Sequence, residues 1–94
     1  MFVVRETFTA KPGKASALAA MFKEVLPQIT GAKVRVLTDF IGPFNTVVLE
    51  TEATDLTQFE KTMQEYMSRQ DIRDKMKGYA DLYQSGRREV YKVI

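Results

Sequence analysis

Two arginines lie inside stretches that read as β-strands, and a guanidinium is the chemistry both could supply. Arg5 follows Phe2-Val3-Val4, and Arg35 stands between Val34 and Val36. The guanidinium fork matches a planar carboxylate. If the sheet face bearing Arg5 is covered, the charge must be paired, and Glu50 or Glu52 of a later strand are the available partners. The alternative is that Arg5, and with it Arg35, contacts an anion or a carboxylate in a cavity. Glu50 could instead act as a general base if burial raised its pKa toward neutrality. No second carboxylate stands at a spacing diagnostic of acid–base pairing. Asn45 follows Gly42-Pro43-Phe44, where its amide either fixes a hairpin through local backbone or orients a ligand carbonyl at a cavity mouth.

Tyr66, Tyr79, Tyr83 and Tyr91 are spread over the later part of the chain. A tyrosine fills apolar space and still presents a hydroxyl at its rim. Tyr91 suits a subunit interface, and Tyr66 or Tyr79 a pocket wall. Arg5, Arg35, Asn45 and Tyr79 are the residues expected to touch a ligand. Glu50, Tyr66 and Asn45 are those that would handle protons or orientation in a reaction. Met63, Met67 and Met76 either shape an adaptable apolar pocket or fill the core.

The missing residue types narrow this chemistry. The 94 residues include no histidine, cysteine or tryptophan. Without cysteine there are no disulfides, thiolate metal sites or cysteine nucleophiles. Without histidine the natural proton shuttle near neutrality and the commonest metal ligand are gone. No metal and no cofactor is expected, so a reaction would rest on carboxylates, tyrosines, lysines or arginines and on reactivity brought by the substrate. Fourteen basic and twelve acidic residues give a formal charge of +2 with the signs interspersed. Arg87-Arg88 is the only adjacent basic pair, too little for a stripe that tracks phosphates, and no nucleic-acid partner is expected. Gly31, Gly42, Gly78 and Gly86 are isolated and make no phosphate cradle. No stretch approaches the roughly 20 apolar residues that cross a bilayer, and the start Met-Phe-Val-Val-Arg-Glu lacks a leader pattern. A soluble cytoplasmic protein with no membrane partner is the expectation. The 45% hydrophobic fraction argues against disorder, and the length suits one domain over residues 1–94 that gains apolar contact by oligomerising.

The elements that must position these residues follow from periodicity. Residues 2–10 form a strand rich in β-branched and aromatic types. After Lys11-Pro12-Gly13, a helical stripe of Ala15, Leu18, Phe22, Val25 and Ile29 begins. Pro27 should end or kink that helix near Leu26, and Gly31 closes the segment. Residues 32–41 form a second strand, with Val34, Val36 and Phe40 on one face and Arg35, Leu37 and Asp39 on the other. Gly42-Pro43 turns the chain into a third strand from Asn45 to about Ala53, a hairpin loop slightly longer than the tightest turn. Asp55 with Gln58, or Thr57 with Glu60, caps a helix whose stripe is Leu56, Phe59, Met63 and either Tyr66 or Met67. Residues 68–71 break it. A shorter helix with Ile72, Met76 and Tyr79 runs to about Tyr83, weakened by Gly78. Ser85-Gly86 ends it, and Arg87 to Ile94 is the last strand.

The order β-α-β-β-α-β predicts an α+β, ferredoxin-like sandwich, a four-stranded antiparallel sheet with helices on one face. Phe2-Val3-Val4 and Val47-Val48-Leu49 are apolar at consecutive positions, so both sides of these strands call for burial. A helix layer covers only one, and a second subunit's sheet could cover the other. The last strand leaves an edge open for contact between subunits.

The same residues carry a resemblance. Arg5-Glu6-Thr7 followed by Lys11-Pro12-Gly13-Lys14, then Gly42-Pro43-Phe44-Asn45 leading into Val47-Val48-Leu49, resembles the dimeric α/β-barrel superfamily and, within it, the short NIPSNAP-like proteins. Phe44 stands where leucine is usual. Gln70-Asp71-Ile72-Arg73 lacks the proline and tryptophan of the family's Asp-Pro-x-Trp-like segment, so an aromatic pocket contact from there is not carried over. The resemblance implies a dimeric α/β barrel in which two ferredoxin-like subunits pack sheet to sheet, with small organic molecules bound beside the sheets. The superfamily includes cofactor-free monooxygenases of quinone-like substrates, muconolactone isomerases and haem-degrading enzymes; a haem-ligating histidine is impossible here.

Together these readings imply a homodimer that binds a small, largely apolar organic molecule, its carbonyl or carboxylate recognised by Arg5 or Asn45. One alternative is a cofactor-independent monooxygenase or isomerase acting on a quinone-like or lactone-like substrate. Another is a structural or partner-binding dimer with its cavity filled by side chains. An RNA-recognition sheet of this topology would show exposed aromatics and a basic third strand, whereas the third strand here runs Val47-Val48-Leu49-Glu50-Thr51-Glu52.

Overall fold

Alternate residues of the strand-forming runs are apolar, and that period of two decides which face of the sheet the helices cover. The computed structural model describes residues 1–30 and 33–94, the side chains of residues 28–30 excepted. In chain order it holds β1 (Phe2–Ala10), α1 (Ala15–Thr30), β2 (Val34–Thr38), β3 (Thr46–Ala53), α2 (Leu56–Met67), α3 (Gln70–Lys75), a 3₁₀ turn at Tyr79–Asp81 and β4 (Tyr83–Lys92). The strands lie in the order β2-β3-β1-β4, each neighbouring pair antiparallel. The ferredoxin-like sandwich with helices on one face is therefore present.

The barrel is not. β2 and β4 stand at opposite edges of an open sheet and do not pair with each other. Four strands are too few to wrap around a filled interior, for which about eight are typical. The expectation of a dimeric α/β barrel is corrected on this point: the sheet is a twisted layer with two free edges.

Ala10, Val47 and Leu49 of the sheet are buried against Leu18, Phe22, Val25 and Leu26 of α1 and Ile72 and Met76 of the segment after α2. The α1 stripe of Ala15, Leu18, Phe22 and Val25 takes its expected place against the core; Ile29 and Gly31 lie outside the described side chains and residues. Pro27 does not end α1, which continues to Thr30. Both Pro27 and Lys23, whose carbonyl loses its donor, are exposed, so water can satisfy the freed acceptor.

The β2–β3 connection departs most from the sequence reading. The strand predicted over 32–41 is described only from Val34 to Thr38, and residue 32 lies outside the described residues. Phe40 leaves the sheet and is 97% exposed at the hairpin tip, with Ile41 and Phe44 also exposed. Asp39 closes the loop, its Oδ1 accepting the Thr46 N–H at 2.9 Å, while the Thr46 hydroxyl donates to the Pro43 carbonyl at 2.8 Å. Asn45 adopts the left-handed region with φ 63° and so belongs to the turn rather than to β3.

Asp55 caps α2 as expected, accepting the N–H groups of Thr57 and Gln58 at 2.9 and 3.2 Å. The second helical stretch is shorter than predicted. Gly78 takes φ 85°, a conformation open to glycine at little cost, and the chain reverses there instead of continuing to Tyr83. Gly86, read as a terminator, lies inside β4 opposite Phe8. A Cβ at that position would meet two carbons of the Phe8 ring at 3.0 and 3.1 Å, so the ring occupies the space that a side chain would need.

Candidate functional site

α1 covers the β2–β3 half of the sheet, which leaves the β1–β4 half to α2. This helix has an apolar stripe, yet none of its residues is buried. The reason is a cavity of about 520 Å³ between α2 and the sheet. Phe59, Met63 and Met67 of α2 form its roof, and Val4, Phe8, Leu49 and Val90 its floor. Phe22, Met76 and Tyr79 close the inner end. Two of the three methionines singled out by spacing thus form its roof and the third its inner wall, and thioether side chains give a wall that adapts to shape.

One ion pair interrupts this apolar lining. Glu6 and Arg88 lie opposite each other on β1 and β4, both facing the helices and both lining the cavity. Arg88 Nη2 donates to Glu6 Oε2 at 3.2 Å. The Glu6 side chain is 21% exposed and that of Arg88 62%, so the carboxylate is the deeper member. Nearby, the Phe8 ring lies 5.1 Å from both Phe22 and Tyr83, and the Tyr79 and Tyr83 rings are 5.7 Å apart. Burial pushes the Tyr79 hydroxyl above its ordinary pKa, reinforced by Tyr83 and by the negative charge of Glu6. Tyr79 is therefore a neutral hydroxyl at physiological pH.

The opposite face of the sheet carries a second polar cluster. Arg5 on β1 donates through Nε to Glu50 Oε2 at 2.9 Å, and Arg35 on β2 donates to the other oxygen of Glu50. Glu50 is thus shared by strands on both sides of β3. The Arg35 hydrogen bond is the main cause that holds the Glu50 carboxyl below its ordinary pKa, against the opposing effect of burial; the Arg5 hydrogen bond and both guanidinium charges add to it. The Arg5 guanidinium also stands 5.2 Å from the centre of the Tyr91 ring, and the Tyr91 hydroxyl donates to Glu89 at 2.7 Å.

No protein-family model matches the sequence, and no curated protein matches it significantly. Solved structures do match in fold. An uncharacterised NIPSNAP domain protein from Burkholderia xenovorans superposes with a TM-score of 0.85 at 16% identity, over 100% of this chain and 95% of its own. A NIPSNAP family protein of unknown function from Agrobacterium tumefaciens gives 0.81 at 20% identity, over 99% of this chain and 87% of its own. The chain has the NIPSNAP fold. A candidate antibiotic biosynthesis monooxygenase from Chloroflexus aurantiacus matches it with a TM-score of 0.74 at 14% identity, over 99% of this chain and 92% of that one. At these identities the likeness is one of fold.

Within the NIPSNAP fold the residues singled out from the sequence fall in three places. Tyr79 lines the cavity. Arg5, Arg35 and Glu50 gather on the far side of the sheet, with Glu50 rather than Glu52 as the partner of Arg5. The depressed pKa of Glu50 is the reverse of what a general base near neutrality requires. Asn45 sits in the hairpin, where its carbonyl accepts the Ala10 N–H at 2.7 Å, and it does not line the cavity. Tyr66 is half-buried beneath the Arg69 guanidinium, 5.3 Å from its ring centre, and does not line the cavity either. Glu6 and Arg88 were missed. The signal was present: Glu6 lies in phase with Val4 and Phe8, and Arg88 in phase with Val90, so each charge occupies a position that the period of two assigns to the helix side. Among the described residues no group of three histidine, cysteine, aspartate or glutamate side chains is placed to hold a metal ion, and no helix is long and apolar enough to cross a membrane.

Proposed function

We propose that the protein binds a small, largely apolar organic molecule in the cavity beneath α2. The observation that carries this reading is the combination of a roughly 520 Å³ space, apolar walls on most sides and a single ion pair in the lining. That is the composition of a small-molecule site: most of the contact is apolar, and few polar groups set orientation. Tyr79 is the ligand-contact candidate this reading keeps. Arg5, Arg35 and Glu50 are assigned instead to self-association through the uncovered face, where Tyr91 and Leu37 are also exposed. The Chloroflexus likeness, with a carboxylate and a guanidinium inside an apolar cavity, favours one second reading. Glu6 would take a proton from a quinol-like or lactone-like substrate, and Arg88 would stabilise the anion that forms.

The test is titration with N-phenyl-1-naphthylamine, a neutral fluorophore that brightens in apolar surroundings. Saturable binding is expected, and it should be lost in Met63→Trp, which fills the space, while the circular dichroism is unchanged. Binding that ignores the substitution would overturn the cavity reading. Light scattering tests self-association: a mass near twice 10.7 kDa is expected, lowered by Tyr91→Glu. Oxygen uptake with a quinol would move the conclusion to the enzyme reading.

A further inference from the structure

Resting on the cavity reading, we infer that the ligand's polar end is uncharged and offers a hydrogen-bond donor and an acceptor side by side, as in a primary amide or a hydroxy ketone, bridging Glu6 and Arg88. The geometry of the pair is the reason. Glu6 and Arg88 meet through one contact, Nη2 to Oε2 at 3.2 Å. Among the described residues, Glu6 Oε1 and the remaining guanidinium N–H groups have no other partner. A carboxylate accepts only and a guanidinium donates only, so the open positions form one acceptor beside several donors. An amide N–H placed on Glu6 Oε1 puts its carbonyl within reach of Arg88, and the ion pair stays intact.

Charged head groups fit this site worse. An anion on the open Arg88 N–H groups stands beside the Glu6 carboxylate, the deeper member of the pair, and a cation on Glu6 Oε1 stands beside the guanidinium. Each meets a like charge at the ion pair, which an uncharged group does not. The other charged residue in the lining, Glu60 on α2, is exposed and adds further opposition to an anion.

The experiment displaces bound N-phenyl-1-naphthylamine at neutral pH with four ligands that share one tail: octanamide, octanol, octanoate and octylamine. Octanamide should compete at a concentration roughly tenfold below octanoate and octylamine, with octanol between them. Arg88→Met should abolish the amide advantage and favour octylamine, because Glu6 is then unpaired; Glu6→Gln should favour octanoate. These opposite shifts would not arise from a general loss of folding, and the fluorophore's own affinity in each variant checks that the cavity persists. If octanoate or octylamine displaces as well as octanamide in the native protein, or if the two variants shift preference in the same direction, the inference is overturned while the cavity reading stands. If the fluorophore does not bind the native protein, both fall together.

Discussion

Arg5 and Glu50 stand directly opposite each other on β1 and β3, and their side chains meet on the uncovered face with Nη2 and Oε2 2.7 Å apart. Arg35, opposite Glu50 on the other side, takes the second carboxylate oxygen, so one acid ties three strands across the middle of the sheet. The cross-strand register itself creates this arrangement, since residues directly opposite project from the same face.

Stability should therefore depend on pH through Glu50. Its folded pKa lies below the ordinary 4.5, so the unfolded chain takes up a proton first as pH falls. The contribution is fully present above about pH 4.5 and is lost as pH drops through the folded value. Glu50→Gln should lower stability by about 1 kcal/mol at neutrality, a modest figure because both arginines remain partly in water. The difference from the native protein should shrink in urea denaturations performed progressively below pH 4.5. A constant difference across that range would sink the assignment.

Gly86→Ala should disturb the cavity through its floor, because Gly86 lies opposite Phe8 on the helix-facing side of β4. The new methyl group would sit 3.0 Å from a Phe8 ring carbon, and Phe8 can yield only toward Phe22, Tyr83 or the cavity. A net loss of about 1 kcal/mol is expected, after the gain from restricting the unfolded chain. Weaker fluorophore binding should accompany it. Unchanged stability and binding together would mean that Phe8 has free room to move.

Asp55→Ala removes the acceptor for two N–H groups at the start of α2. A loss of about 1 kcal/mol is expected, and hydrogen exchange should quicken first in the leading turn of that helix. Uniform quickening over all elements would point to global unfolding instead.

Asn45 separates turn geometry from ligand contact. Asn45→Gly should leave stability nearly unchanged because glycine accepts φ 63°, whereas Asn45→Ala should cost about 1 kcal/mol. Fluorophore affinity should be the same in both. A glycine variant that folds normally and fails to bind would restore the side chain to the site.

Element order was readable because each element follows a clear period, and Asp55 was readable because capping is local chemistry. The partner of Arg5 was narrowed to two acids, and the register chose Glu50. Three features were not legible for distinct reasons. Gly86 looks like punctuation in one dimension, and only the Phe8 ring lying across it explains a glycine inside a strand. Pro27 obeys its usual rule only where the freed carbonyl lacks water, which depends on which side of α1 faces outward. Phe40 continues the alternation of β2 on paper, but Asp39 captures the Thr46 N–H and redirects the backbone first. The barrel expectation came from the resemblance, and it failed because closure is a property of strand number and edge pairing, which the short motifs behind that resemblance do not fix. As for the site, Tyr79 and the methionines were legible as apolar side chains in need of a surface. Glu6 and Arg88 were not, because charges inside strands are most often solvated, and only their phase with Val4, Phe8 and Val90 sets them on the helix side.

The lightly packed underside of α2 has a mechanical meaning. A helix that rests on the core through the partly buried Met63 and Tyr66, with no residue fully buried, behaves as a plank laid over a gap. Whatever enters the gap adds to that support. Occupancy would then register as a change in the stiffness of the whole β1–β4 side, transmitted along α2 to the turn that begins α3, with no displacement of any strand.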